Sequence, residues 1–84
     1  MDIRQLRYLV QIVDSGSISK AADILRVAQP SLSLQLKALE DKLGVKLVAR
    51  HPRGIAPTPD GKILVEHARK VLRELDQIRE VLTS

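Results

Sequence analysis

The side chains between positions 29 and 34 combine hydrogen-bonding and apolar groups in a pattern suited to the edges of nucleic-acid bases. Gln29 carries an amide that can donate to and accept from adenine at the same time. Ser31 and Ser33 carry hydroxyls that take either role in a hydrogen bond. Pro30 and Leu34 offer apolar surface that can contact a thymine methyl group. This segment is the first candidate contact surface, although single exposed leucines such as Leu34 are also common without any function.

Positive charge is concentrated shortly after this segment. Between positions 42 and 59 the chain has four cations and no acid, and the net charge of the whole chain is +4. Such a cluster favours a polyanionic partner, with nucleic acid first and an anionic membrane surface second. We expect contacts to DNA from Arg50 and from Arg53, which lies in a Pro-Arg-Gly turn. Lys37 and Lys46 fit either a phosphate contact or a solvated surface charge.

Two hydroxyls stand at the start of a predicted second helix. Ser17 is placed to cap this helix, and Ser19 lies in its first turn. Each fits either a capping role or a phosphate contact, since the N-termini of helices attract anions. Both are therefore candidate contact residues.

The sequence gives no support for catalysis, metal binding or membrane insertion. His51 and His67 form no recognisable metal-ligand motif with an acid, and no serine is paired with a histidine base in a nucleophile motif. We expect no enzymatic activity, metal, cofactor or small-molecule ligand. No apolar run approaches the roughly 20 residues of a transmembrane helix, and the N-terminus does not read as a secretory signal. The absence of Cys suits the reducing cytoplasm, and an aromatic content of 1% argues against readers of RNA or single strands.

Three helices would position the candidate residues. The spacing of apolar residues predicts helices from Asp2 to about Val13, from about Ile18 to Leu25 and from about Pro30 to Leu43. The second and third are separated by so few residues that they favour a helix-turn-helix corner. Gly16 supplies a turn after the first helix. The third helix has a narrow apolar stripe opposite the candidate contacts, made of Leu32, Leu36, Leu39 and Leu43.

The apolar pattern changes from helical to alternating after Gly44, which is expected to end the third helix. Val45 to Arg50 is predicted to form a strand, and residues 51–54 form a turn. Ile55 to Pro57 would be a short return strand. The sequence therefore predicts a hairpin that carries the basic cluster.

A last helix is predicted from Pro59 to about Leu82, with Thr58 as its cap. Its apolar residues are separated by 4, 3, 4, 3 and 4 positions, a heptad seam typical of paired helices. The members of the seam are Leu64, Ala68, Val71, Leu75, Ile78 and Leu82. The seam could be covered within its own chain, but a helix of about 36 Å overhangs so small a domain. We expect it to pair with a second copy.

Several strings of the chain closely resemble the N-terminal domain of LysR-type transcriptional regulators. They are residues 17–25, 28–33, 39–40, 43–44, 53–54 and 58–61, together with Arg50. The likeness covers the whole chain without gaps. Within the family, residues 54–59, 61–64 and 67–69 are most similar to the nitrogen assimilation control subgroup.

The resemblance implies a mainly α fold, a winged helix-turn-helix with a two-stranded hairpin wing and a long C-terminal linker helix. It implies a DNA-binding domain over residues 1–58 and a dimerisation helix over residues 59–84 that pairs antiparallel. It also implies an effector-binding domain that is absent from this chain. Gln29, Pro30, Ser31 and Ser33 would face the major groove, and Arg53 would lie near the minor groove. Leu34 departs from many relatives, which have a basic or amide side chain there, so guanine reading from this position is not expected.

Two functions remain open from the sequence. The first is specific binding of double-stranded DNA by a homodimer that reads an interrupted inverted repeat. The second is a dimerisation or protein-interaction module whose charge only maintains solubility. The distribution of charge favours the first, because the cations gather on the hairpin and third helix while residues 58–84 contain five cations and five acids.

Overall fold

The computed structural model describes residues 1–84, which form four helices and one antiparallel hairpin. In chain order the elements are α1 (Ile3–Ser15), α2 (Ile18–Leu25), α3 (Gln29–Leu43), β1 (Val48–His51), β2 (Gly54–Pro57) and α4 (Pro59–Thr83). The predicted α2 has the observed bounds, and each of the other helices begins or ends within two residues of its predicted position. None of the four helices combines the length and apolar character that a membrane span requires.

The helix ends follow local capping rules. Asp2 and Gln5 form a reciprocal capping box at the start of α1. Gly16 ends this helix with φ of 65°, and Ser17 then caps α2 by accepting from the Lys20 N–H. Arg26 has φ of 58° at the end of α2 and turns the chain into α3. The predicted turn at Gly16 and the predicted cap at Ser17 are confirmed.

The core lies where α1, α2, α3 and the first half of α4 meet. Ala21 and Ala22 are both buried, and their small side chains let α2 approach its neighbours closely. Each buried leucine or isoleucine of this core contributes roughly 1.5–3 kcal/mol. The largest fully buried side chains are Leu9, Ile12, Leu32, Leu39 and Leu47.

The predicted apolar stripe of α3 was wrong at its last member. Leu43 is 40% exposed, whereas Glu40, which was not assigned to the core, is only 7% exposed. The Glu40 carboxylate turns inward because it accepts hydrogen bonds from the N–H groups of Leu47 and Val48. Burial of a carboxylate requires such partners.

The predicted start of the first strand at Val45 was also wrong, since β1 begins at Val48. The N–H of Leu47 donates to the Glu40 carboxylate and its carbonyl accepts from the N–H of Thr58, one residue beyond β2, so neither group of Leu47 is free to pair within β2. From Val48 to His51 the strands pair in antiparallel register, with Val48 opposite Pro57.

The hairpin is attached to the turn between α1 and α2. The Ile55 N–H donates to the Gly16 carbonyl at 3.0 Å, and Ile55 itself is buried. Gly54 has φ of 134° and lies so close to this carbonyl that a Cβ would overlap it. The wing is therefore a fixed part of the domain.

α4 divides into a packed half and a free half. Val65 and Ala68 are buried against the domain, and no residue after position 70 is buried. The Arg69 guanidinium donates two hydrogen bonds to Asp14 of α1, at 2.5 and 3.2 Å. The hydrogen bonds to Asp14 are the main reason why the pKa of Arg69 is raised above its ordinary value. The core thus includes the first half of α4, while the division into residues 1–58 and 59–84 stays a prediction.

Candidate nucleic-acid interface

The first turns of α3 present an exposed and uncapped helix start. Gln29, Pro30 and Ser31 are exposed, and Ser33 is half-buried on the shoulder of the helix. The residue before the helix, Ala28, offers no side-chain acceptor to the free N–H groups of the first turn. Amide, hydroxyl and main-chain donors therefore face outward from one short segment.

Leu34 extends this surface by one turn. Its side chain is 67% exposed, although leucine is among the residues most often found inside proteins. Lys37, one turn further, forms an exposed ion pair with Asp41 at 3.4 Å. Exposed pairs of this kind contribute about 0–1 kcal/mol, so Lys37 can exchange its partner for a phosphate at little cost.

The start of α2 lies beside the start of α3. Ser17 and Ser19 place their hydroxyl oxygens 3.1 Å apart, and Ser17 also accepts from the Lys20 N–H at 3.2 Å. A surface cavity here is lined by both serines together with Gln29 of α3 and Arg50 of β1. The predicted capping role of Ser17 is confirmed, while Ser19 keeps an exposed hydroxyl.

The hairpin supplies positive charge to the same concave surface. Arg50 and Arg53 are exposed, and neither forms an ion pair with an acid. The Arg53 N–H donates to His51 Nδ1 at 3.3 Å, which stabilises the turn that carries Arg53. A second cleft, between α3 and β1, is lined by Ser33 and Lys37 on one side and Arg50 on the other.

The predicted contact residues are therefore brought together from α2, α3, β1 and the hairpin turn. Gln29, Ser17, Ser19 and Arg50 share one cavity, and Arg50 also borders the cleft of Ser33 and Lys37. Arg53 extends the surface outward at the hairpin turn. The contacts that these residues make with DNA stay predictions.

The heptad seam of α4 is split between two environments. Leu64 packs against the core and Ala68 is only 1% exposed within its own chain. Val71 and Ile78 are exposed, Leu75 is half-buried, and the last member, Leu82, is 78% exposed. The sequence analysis missed Val81, which is also exposed. Val81 lies three residues after Ile78 and therefore on the same face of the helix, and this spacing could have identified it.

The described residues hold no group of three or more His, Asp or Glu side chains placed to bind a metal ion. His51 is engaged with the main chain of the hairpin turn. The surface built above consists of hydrogen-bonding groups, apolar side chains and cations, of which Arg50 and Arg53 form no ion pair. Its chemistry is that of recognition.

Residues 3–62 match the lysR family of bacterial regulatory helix-turn-helix proteins. The chain is 49% identical over 77 residues to the nitrogen assimilation regulatory protein nac of Escherichia coli, covering 92% of the chain and 25% of that protein. It is 44% identical over 78 residues to the HTH-type transcriptional regulator BenM of Acinetobacter baylyi, covering 93% of the chain and 26% of BenM. The chain thus spans about a quarter of the length of these curated relatives. Because both are similar to a comparable degree, the subgroup stays a prediction.

Two solved structures of DNA complexes have the same arrangement of helices and hairpin. The BenM DBD in complex with catB site 1 DNA matches with a TM-score of 0.93 at 41% identity, over 98% of this chain and 91% of that chain. The CbnR DBD in its DNA complex matches with a TM-score of 0.84 at 38% identity, over 98% and 99%. The predicted fold, a winged helix-turn-helix followed by a long C-terminal helix, is confirmed. The chain belongs to the lysR family of bacterial regulatory helix-turn-helix proteins.

Proposed function

We propose that this chain binds specific sequences of double-stranded DNA as part of a bacterial transcriptional regulator. The first turns of α3, the recognition helix, enter the major groove, and the hairpin turn lies over the adjacent minor groove. Two copies pair through α4 and read an interrupted inverted repeat, since two-fold symmetry of the protein is mirrored in its site.

One observation carries this proposal: hydrogen-bonding groups of α2 and α3 share a concave surface with Arg50 of the hairpin, a cation that forms no ion pair. Duplex recognition needs both kinds of group, because base edges supply specificity and phosphates supply affinity and register. The similarity to the BenM and CbnR domains in DNA complexes supports the same orientation of α3 and the wing.

The pairing of two copies is supported by the free half of α4. Val71, Ile78, Val81 and Leu82 are exposed there although they are large and apolar. Burial of such a strip against its equal in a second copy removes it from water. The proposal assigns DNA contact to residues 1–58 and pairing to residues 59–84.

The proposed activity is DNA binding alone, without catalysis or a cofactor. The proposed location is the bacterial cytoplasm, which contains the DNA. An effector-binding domain would belong to the part of the regulator beyond this chain, which spans about a quarter of its relatives. The small-molecule ligand would be recognised there.

Replacing Gln29 by alanine should weaken binding to the preferred duplex by about 1–3 kcal/mol, roughly 5- to 150-fold, with little effect on unrelated DNA. The reason is that an amide reads one base edge.

Arg53→Ala should instead weaken binding to all duplexes by similar factors, because a cation at the wing recognises phosphates and groove width. Fluorescence anisotropy titrations at fixed salt measure both effects.

Arg79→Ala is the matched control, since it removes the same charge from the far end of α4 and should change DNA affinity least. Equal losses on preferred and random duplexes would reassign Gln29 to a phosphate contact. An unchanged affinity of the Arg53→Ala variant would refute the position of the wing.

A further inference from the structure

The segment of residues 46–48, here called the junction, is tied to the C-terminal end of the recognition helix by one carboxylate. Oε2 of the nearly buried Glu40 accepts from the Leu47 N–H at 2.7 Å and from the Val48 N–H at 3.4 Å. Its Oε1 lies 3.6 Å from Lys46 Nζ. All three junction residues therefore contact this single side chain.

The first turn of α4 holds the junction from the other side. Thr58 Oγ1 donates to the Lys46 carbonyl at 2.6 Å, and the Thr58 N–H donates to the Leu47 carbonyl at 3.0 Å. The same hydroxyl oxygen accepts from the Gly61 N–H at 3.0 Å. Leu47 is thus clamped at both ends, with its N–H held by α3 and its carbonyl held by α4.

α4 has a second anchor, on α1. Ala68 is buried, and Arg69 donates to Asp14 from both terminal guanidinium nitrogens, Nη1 and Nη2. Two anchors along a stiff helix fix its direction, whereas a helix with one anchor can tilt about it. From Ala68 the helix continues for about 22 Å at 1.5 Å per residue, so a tilt of about 10° would move its far end by about 4 Å. This is comparable to one base-pair step of about 3.4 Å.

We propose that Glu40 and Thr58 are positioning residues that set the distance and rotation between the two recognition helices of the dimer. They thereby set the spacing of the half-sites that the dimer accepts. The inference rests on the proposed function, because it requires two copies paired through α4. One extra base pair moves a half-site by about 3.4 Å and rotates it by about 35°. A rigid junction therefore weakens binding at the altered spacing, whereas a loosened junction lets the second recognition helix reach the displaced half-site.

Thr58→Val tests this role, because valine has a similar shape but no hydroxyl for Lys46 or Gly61. Binding is measured on duplexes with one half-site, and with two half-sites at the preferred spacing or one base pair longer or shorter. For the wild-type chain we expect binding about tenfold weaker at the altered spacings, and for Thr58→Val a difference below about threefold. Affinity for one half-site should stay within about twofold of wild type, which a general loss of structure would not allow.

Two further variants serve as controls. Thr58→Ser returns the hydroxyl and should return the spacing preference. Thr83→Val removes a comparable hydroxyl, whose Oγ1 donates to the Arg79 carbonyl at 2.7 Å, but far from the junction. Thr83 is not a member of the heptad seam, so the Thr83→Val variant should keep the wild-type spacing preference.

Circular dichroism establishes which variants fold. If Thr58→Val does not fold, Glu40→Gln decides on the same duplexes, since it keeps one acceptor oxygen for the Leu47 N–H and loses the charge that faces Lys46. A full spacing preference in the folded variant would overturn the inference. A wild-type chain that binds one half-site specifically but has no preferred spacing would overturn it together with the paired dimer. Absence of any half-site specificity would contradict the proposed function itself.

Discussion

Gly61→Ala should remove most of the stability of the chain. In an ordinary helix this change stabilises by about 1 kcal/mol, but a Cβ at position 61 would overlap the main-chain carbonyl of Leu47. That carbonyl cannot move aside like a flexible side chain, because Glu40 and Thr58 hold the peptides around it. We expect a loss on the order of 4 kcal/mol, against a total stability of about 5 kcal/mol for a small domain. Urea unfolding followed by circular dichroism measures it.

Gly44→Ala provides the matched glycine control. Gly44 has φ of 71°, which strains an alanine, but nothing lies within 4 Å of an added Cβ. A left-handed residue of this kind costs about 1–2 kcal/mol, well below the loss expected at Gly61. A Gly61→Ala variant as stable as the wild type would mean that α4 does not approach the junction as closely as described.

Leu75→Asp should convert the dimer into monomers. Leu75 stands in the middle of the seam, and pairing would bury its side chain against the second copy. An unpaired carboxylate at this position costs several kcal/mol to bury, so we expect the dissociation constant of the dimer to rise by about a hundredfold or more. Analytical ultracentrifugation measures this constant, and binding to two half-sites should fall to the affinity for one.

Gln77→Asp adds the same charge two residues along the helix, at an exposed position outside the seam. It should leave the dimer intact. A dimer that survives Leu75→Asp unchanged would show that α4 does not pair through this seam, and the two copies would then have to meet elsewhere.

The helices could be predicted because their signals are local. Ser17 and Thr58 cap the helices that follow them, and Gly16 and Gly44 end the helices that precede them. Each signal depends on main-chain groups within a few residues of it, so no knowledge of the tertiary structure is needed.

The junction could not be predicted, because its bonds join residues whose proximity is created by the fold. A helical wheel assigns Glu40 to no buried face and assigns Leu43 to the apolar stripe. The structure reverses both, since N–H groups seven and eight residues further along face the Glu40 carboxylate. The same bonds delay the start of β1 to Val48.

The residue types of the candidate site can be taken from the sequence, whereas the way the fold assembles them cannot. The residue types at Gln29 and Ser33 by themselves indicate base recognition. That Ser17 and Ser19 share a cavity with Arg50 depends on the attachment of the hairpin to the turn after α1. Periodicity alone also cannot show that part of the seam is buried within its own chain, as Ala68 is.

Selection from a pool of random duplexes, with the retained sequences read after binding at defined salt, tests the central claim most directly. Sequence-specific binding by a paired chain predicts enrichment of an interrupted inverted repeat. Its half-sites should be centred about one helical turn apart, or a multiple of it. A retained pool with the same sequence distribution as the starting pool would contradict specific DNA recognition by this chain.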